Sequence, residues 1–238
     1  MHIALCLPNL NGGGAERSTV QIANGLQERG HEVDLVLLQK TGQYVGEISQ
    51  KVNVVDLGVS RARYAIFPLS RYLKTHRPDI AYSSLLNIPL LLANQFADRV
   101  SKVVLSERSL FSVIREDAKT VSGKISFALS RFFYPLSDAI VAVSHASADD
   151  LVRYGVAPLE KVRVIYNPVL SERIFELQKK PPALDWLQRK DAPVVLAAGR
   201  LAPEKDYPTL LRAFSSLETK ARLIIMGEGG ERAQLESL

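Results

Sequence analysis

The sequence predicts an α/β protein built around a parallel sheet with helices on its faces. Three observations predict it. Short runs rich in Val, Ile and Leu recur along the chain, and stretches of helical period separate them. The turn from the first run to the first helical stretch is Asn11-Gly12-Gly13-Gly14, a tight strand-to-helix link. The 238 residues, 47% hydrophobic and 23% charged, allow one large domain, or one domain and part of another.

The first strand covers about His2 to Leu7. After the glycines a helix runs from about Ala15 to Arg29, its apolar side made by Val20, Ile22, Ala23 and Leu26, and Gly30 stands where a helix takes a left-handed cap. His31 to Leu38 is the second strand and Val52 to Leu57 the third. A basic, aromatic helix follows over about Ile66 to Thr75. Pro78 to Ser83 is a strand, and Pro89 suits a first helical turn. Lys102 to Leu105 is the next strand, ending in the loop Ser106-Glu107-Arg108. A helix over about Gly123 to Tyr134 leads to the strand Ala139 to Val143. Ser144 can cap the helix that closes at Gly155, and Val162 to Tyr166 ends this unit.

Residues 169–193 change character, with Pro181, Pro182 and many charges, as a linker would. Trp186 is expected to anchor it to a domain surface. The pattern then restarts: strand Val194 to Ala198, loop Gly199 to Pro208, a helix to about Phe214, strand Arg222 to Met226, and a last helix opened by Gly227-Glu228-Gly229-Gly230. The expected division is a complete first domain over 1–168, a linker over 169–193 and the start of a second domain over 194–238. Two strands cannot bury both faces of a sheet, so the chain reads as cut short by design, as a truncated product, or as part of a longer gene.

Composition narrows the setting. Net charge is +5 with a pI near 9.3, which favours anionic partners. No apolar run approaches the roughly 18 residues of a membrane span, and Met1 to Cys6 has neither a charged n-region nor a cleavage site, so a cytoplasmic location is expected. The single cysteine, Cys6, cannot staple a fold and is expected in the core. No histidine has partners at metal spacing, so no metal is assigned.

Two clusters could carry chemistry. Gly12, Gly13 and Gly14 let backbone approach a ligand, and free amides at a helix start attract phosphate. The dinucleotide fingerprint is incomplete, because Arg17 holds its third glycine position and Asp34 lies inside the second strand rather than at its tip. The bland alternative is a merely tight turn. The second cluster is Gly199-Arg200-Leu201 with Glu204-Lys205-Asp206. A planar guanidinium and a mobile ammonium suit a leaving group whose negative charge grows. Its alternative is a solvated loop with Lys205 paired to Glu204.

Together these clusters resemble the retaining glycosyltransferases of family 4, with the two-Rossmann-domain architecture called GT-B. The resemblance runs the length of the chain. It rests on Gly12 to Glu16, on Val143-Ser144-x-x-Ser147 before the helix ending at Tyr154-Gly155-Val156, and on Val164-Ile165-Tyr166-Asn167-Pro168. It also rests on Gly199-Arg200-Leu201 with Lys205, and on Met226-Gly227-Glu228-Gly229. The resemblance implies a complete N-terminal Rossmann-like domain on the acceptor side and the beginning of a second, nucleotide-sugar-binding one. It implies that Gly13 and Gly14 bring amides to the donor diphosphate, that Arg200 and Lys205 neutralise it, and that Gly227, Glu228 and Gly229 border base and ribose. The donor is expected to be a UDP-sugar, with GDP second, and no metal or other cofactor is required. The acceptor hydroxyl would attack the same face and give its proton to a phosphate oxygen.

The sequence departs from the family in two places. The paired glutamates of the second domain have no match, since Glu228, Glu231 and Glu236 do not fit them, so this stretch alone is expected to be inactive or nearly so. Where many members carry a histidine, Ser106-Glu107-Arg108-Ser109 stands, a variant resembling members that build bacterial surface or lipid-linked glycans. Glu107 (catalytic) and Arg108 (substrate-binding) are assigned to acceptor or sugar contact, with a structural ion pair as the alternative. Ser83, Ser84 and Asn87 are candidates at another strand tip. Residues 57–78 lack any acid but hold Arg61, Arg63, Arg71, Lys74 and Arg77 among Tyr64, Phe67 and Tyr72. With Lys119, Lys124 and Arg131 near Phe127, Phe132 and Phe133, they offer a peripheral contact for the anionic inner face of the cytoplasmic membrane. The alternative puts the aromatics in the core and the cations in water. The expected partners are therefore a nucleotide-sugar donor and a saccharide or lipid-linked saccharide acceptor, with no nucleic acid. A non-catalytic acceptor- or partner-binding module is the rival class, and an NAD-dependent oxidoreductase a third.

Overall fold

A computed structural model of the chain describes residues 1–113, 121–170, 172–182, 184, 186–187 and 191–238. They fall into two compact units, Met1–Leu170 and Ser171–Leu238.

The first unit carries seven strands: β1 (His2–Leu7), β2 (Glu32–Leu37), β3 (Asn53–Asp56), β4 (Ile80–Ser83), β5 (Lys102–Glu107), β6 (Ala139–Ala142) and β7 (Val162–Val164). All neighbours are parallel, in the order β3-β2-β1-β4-β5-β6-β7. The helices are α1 (Gly14–Glu28), α2 (Ile66–His76), α3 (Asn87–Phe96), α4 (Val121–Phe133) and α5 (His145–Arg153). Alternation along the strands sorts the core. Ile3, Leu5, Leu7, Val33, Leu35 and Leu37 pack with Val20 and Ala23 of α1 on one face. Ala4, Cys6, Val36, Ala81, Val103, Leu105, Ile140 and Ala142 pack on the other with Leu69, Leu73, Leu90 and Leu151 of α2, α3 and α5. Cys6 is fully buried, and burial followed by the charge of Asp34 pushes its thiol up to about 12.

The elements follow the sequence pattern with one consequential shift. β5 runs on through Ser106 and Glu107, which the apolar run ending at Leu105 had left to a loop. The parity of Val103, Leu105 and Glu107 puts all three on one face of the sheet. The Ser144 hydroxyl does cap α5, accepting from the Ser147 amide at 3.1 Å, and Gly155 takes a left-handed φ of 62° after it. The second unit pairs β8 (Val194–Ala198) with β9 (Arg222–Met226) in parallel. Around it lie α6 (Glu172–Leu177), α7 (Tyr207–Ser215) and α8 (Arg232–Glu236). Residues expected as linker thus contribute a short helix, and Trp186 lies 4.9 Å from the Arg222 guanidinium that crosses its ring.

A polar cluster near the amino ends of the strands ties three strands to α2. Asp34 is 3% exposed, and its carboxylate accepts from Asn53 Nδ2 at 2.9 Å and from the Tyr72 hydroxyl, with His2 Nε2 at 3.0 Å. Burial raises its pKa, but the hydrogen bonds from Tyr72, Asn53 and His2 outweigh burial and hold it below the usual carboxylate value. A depressed folded pKa means that this group stabilises the fold at neutral pH. That contribution fades as pH falls below the ordinary aspartate value of about 3.9 toward the depressed one. Tyr72→Phe is expected to lose about 1.5–3 kcal/mol in urea unfolding at pH 7, the range for a hydrogen bond to a charged group. The wild-type chain should also lose more stability than Asp34→Asn as pH falls from about 5 toward 2. Parallel acid profiles for the two proteins would refute the assignment.

Candidate functional site

A parallel sheet puts every turn that follows a strand along one edge. β1 and β4 are neighbours whose outgoing connections part, toward β2 on one side and β5 on the other. Ligands in such sheets collect where the connections part. The loop after β1 is the glycine turn. Gly13 is extended (φ −166°, ψ 167°) and gives α1 no side-chain cap, so the helix starts at Gly14 with amides for which the structure shows no capping side chain. Gly12 has φ 111°, accessible to glycine at little cost. Glu16 folds its carboxylate back over Gly13, where a Cβ would collide with it. The loop after β2 packs against this turn: Leu10 N donates to Thr41 O at 2.8 Å, and Gly42, at φ 121°, leaves no room for a Cβ beside the Leu10 carbonyl. Gly42 was overlooked in the sequence, where its only signal is a lone glycine after a strand.

The strand-tip candidates become one polar network. Glu107 is 8% exposed and points inward. Its Oε1 accepts from the amides of Arg108 (2.9 Å) and Ser109 (3.0 Å), and its Oε2 accepts from the Tyr134 hydroxyl at 2.9 Å. Tyr134 in turn accepts from Asn87 Nδ2 at 2.9 Å. Burial raises the Glu107 pKa, only partly countered by these donors and the charge of Arg108. These hydrogen bonds tie its carboxylate to the Arg108–Ser109 turn and to Tyr134, so Glu107 anchors this loop. No Glu107–Arg108 side-chain ion pair forms either. Ser83 is fully buried and its hydroxyl accepts from the Leu86 amide at 2.8 Å, which shapes the turn into α3. Ser84 and Asn87 are buried too. Tyr134 and Asn167 had no such role in the sequence reading, and Arg108 joins them to the site. Its guanidinium donates to Ser18 Oγ, to Asn167 Oδ1 at 2.9 Å and to the Tyr82 hydroxyl at 3.2 Å. Asn167 belongs to a quoted motif, so that motif has work inside the first unit.

In the second unit the tips of β8 and β9 interlock. Gly199 N donates to Met226 O at 2.9 Å and Leu201 N to Glu228 O at 2.9 Å. A Cβ at Gly227 would strike the Gly199 carbonyl, and one at Gly229 the Leu201 carbonyl. These glycines are therefore required by close backbone packing, whatever they border. Arg200 and Lys205 sit on the exposed loop after β8, and the Lys205 stem lies against Gly199. The Lys205–Glu204 pair of the alternative reading does not form: Glu204 binds Arg200 instead, at 2.6 Å, with both side chains largely in water. Lys205 has no acid within ion-pair distance among the described residues. Glu228 pairs with Arg232 within the same exposed turn.

The basic segment divides between the two alternatives. Tyr72 is buried, but Phe67 (73% exposed) and Tyr64 (57%) face outward with all five cations of 57–78. On α4 Phe127 packs inward, while Ile125, Leu129 and Phe132 are exposed at i, i+4 and i+7, flanked by exposed Lys124 and Arg131. Lys119 lies outside the described residues. Among the described residues no helix is long and apolar enough to cross a membrane, and no group of three His, Cys, Asp or Glu is gathered as a metal would need.

Comparison with known proteins agrees with this architecture. Residues 12–173 match the model of Glycosyltransferase Family 4, and residues 184–238 that of Glycosyl transferases group 1. The chain is 26% identical to the N-acetylgalactosamine-N,N'-diacetylbacillosaminyl-diphospho-undecaprenol 4-alpha-N-acetylgalactosaminyltransferase of Campylobacter jejuni, over 99% of this chain and 65% of that protein. It is also 26% identical to a GDP-mannose-dependent alpha-mannosyltransferase of Mycobacterium tuberculosis, over 97% of this chain and 62% of that one. The chain thus spans somewhat under two thirds of their length. In fold it is similar to Anabaena HepE in complex with UDP, with TM-score 0.72 at 18% identity over all of this chain and 64% of that one. It is also similar to the lipopolysaccharide outer core galactosyltransferase WaaB, with TM-score 0.65 at 16% identity over all of this chain and 64% of that one.

The interlocked glycines give a direct test. Gly227→Ala is expected to destabilise the second unit by about 1–3 kcal/mol or more, the range for overpacking, because neither backbone can retreat. Gly230→Ala, where a Cβ meets nothing within 4 Å, should cost far less. Hydrogen exchange at Leu223 to Ile225 would report the difference, and equal protection in both variants would refute it.

Proposed function

The chain belongs to glycosyltransferase family 4, and on that premise we propose that the protein carrying it moves a sugar, with retention, from a nucleotide sugar to a surface-polysaccharide or lipid-linked saccharide acceptor. A UDP-sugar is the first choice of donor, since a fold neighbour was solved with UDP. The observation that carries the reading is the loop after β8. It holds two cations in water, one with no acid within ion-pair distance among the described residues and the other paired to the exposed Glu204. Breaking a sugar–phosphate bond leaves negative charge on the diphosphate and positive charge on the anomeric carbon. A guanidinium and an ammonium at the phosphates stabilise that state more than the ground state and do so without a metal.

A dehydrogenase site fits poorly. The acid on β2, Asp34, is buried toward the amino end of its strand and already bound by Tyr72 and Asn53. On the acceptor side Arg108 is the group that meets substrate, while Glu107, Ser83 and Asn87 hold the loops. The exposed stripe Ile125-Leu129-Phe132 with Lys124 and Arg131 suits a peripheral contact with anionic lipid at the inner face of the cytoplasmic membrane, where a lipid-linked acceptor would be found. The Campylobacter relative, whose name includes a diphospho-undecaprenol, supports that acceptor class.

Calorimetric titration of the chain with UDP, GDP and NAD tests the donor. UDP binding is expected, weakened about tenfold or more by Arg200→Ala and by Lys205→Ala, a scale set by losing one charge-assisted contact. NAD binding without nucleoside diphosphate, or UDP binding indifferent to both substitutions, would contradict the assignment. For the lipid contact, the chain should sediment with phosphatidylglycerol vesicles and not with phosphatidylcholine, and Ile125→Asp/Phe132→Asp should abolish it. Unchanged sedimentation of the double variant would remove this face from the reading.

A further inference from the structure

Resting on the glycosyltransfer reading, we infer that Arg108 receives a phosphate group of a substrate, and that Tyr134, acting through Glu107, is the positioning residue that sets it in place. Arg108 is half-buried at the tip of β5, and all three acceptors of its guanidinium, on Ser18, Asn167 and Tyr82, are neutral oxygens. No carboxylate among the described residues lies within ion-pair distance of it. Its Nε is buried with no hydrogen-bond partner among the described residues. A positive charge withdrawn from water without a counter-charge is costly, and so is an orphan donor. Nε–H and one Nη2–H lie parallel on one edge of a guanidinium, the fork that binds two oxygens of a phosphate. Nη2 gives one hydrogen to Tyr82, and among the described residues its second hydrogen and Nε–H have no acceptor.

The guanidinium is held at both ends. Its tip is fixed by α1, β4 and the segment after β7 through Ser18, Tyr82 and Asn167. Its backbone is fixed by the Glu107 carboxylate, which binds the Arg108 and Ser109 amides with one oxygen and the Tyr134 hydroxyl with the other. Tyr134 is itself fixed by Asn87 on α3. Removing the Tyr134 hydroxyl leaves the guanidinium its charge and its partners but frees the carboxylate that orients its loop. The shared ligand chemistry is a phosphate, which either a nucleotide donor or a lipid-diphosphate acceptor can supply.

The test uses the chain with Arg200→Ala/Lys205→Ala, which removes the cations of the second unit. Inorganic pyrophosphate is titrated by calorimetry. Arg108→Lys, which keeps the charge and loses the fork, should weaken binding about tenfold. Tyr134→Phe should weaken it several-fold, and should have no further effect on an Arg108→Ala background, since coupled residues are non-additive. Pyrophosphate binding that is absent or insensitive to Arg108 overturns the receptor. A Tyr134→Phe effect that persists without Arg108 overturns the positioning role, because a general loss of structure would act in both backgrounds. Competition then identifies the source: displacement by UDP assigns the donor, displacement by geranyl diphosphate the acceptor, and displacement by neither overturns the inference. If the unsubstituted chain binds UDP through Arg200 and Lys205 while Arg108 proves idle, only this inference fails. If Arg108 binds pyrophosphate but Arg200 and Lys205 play no part, the donor assignment fails instead.

Discussion

Parallel strands need long crossovers, and that constraint arranges everything else in the first unit. Seven parallel strands send every outgoing turn to one edge of the sheet. The connections part between β1 and β4, so the glycine turn after β1 and the strand tips at Ser83 and Glu107 belong to that one edge. The opposite edge carries the incoming turns and the Asp34 cluster, with α2 packed against it.

Two buried carboxylates on the same face of the sheet show how local partners decide charge. Asp34 receives a phenol, an amide and an imidazole, and these outweigh its burial. Glu107 receives two backbone amides and a phenol, and burial still prevails. Both act as hubs, Asp34 for β1, β2, β3 and α2, Glu107 for the tip of β5, the turn at Tyr134 and, through it, α3. Burying a carboxylate is tolerable when it is well hydrogen-bonded, and each of these accepts three hydrogen bonds.

Much of the architecture was legible because it rests on short-range pattern. Alternating apolar runs gave the strands, and Ser144 and Gly155 announced the limits of α5. The site was legible only where backbone geometry drives it. Gly12 to Gly14 stand in the sequence as a strand-to-helix turn, and Gly227 and Gly229 were visible as glycines although their reason, a carbonyl where a Cβ would go, was not. The inward turn of Glu107 was not legible, because the strand extends two residues beyond the apolar run and its parity points that side chain to the core face. Arg108 could not have been paired from sequence with Ser18, Tyr82 and Asn167, partners that lie 90, 26 and 59 positions away. The ion pair at Arg200 is not legible from adjacency: Glu204 lies beside Lys205 in sequence, yet the loop after β8 brings its carboxylate to Arg200, four positions back.

The functional account places growing negative charge against fixed cations, with acceptor-side loops held by a buried network and a cationic, apolar helix face outside. Each part has a physical cause independent of the family to which the chain belongs. A crystal structure of the chain soaked with UDP tests the account most directly. It predicts phosphate oxygens within hydrogen-bond distance of the Arg200 guanidinium and Lys205 Nζ. A diphosphate seated elsewhere, with both side chains still in water, would contradict it.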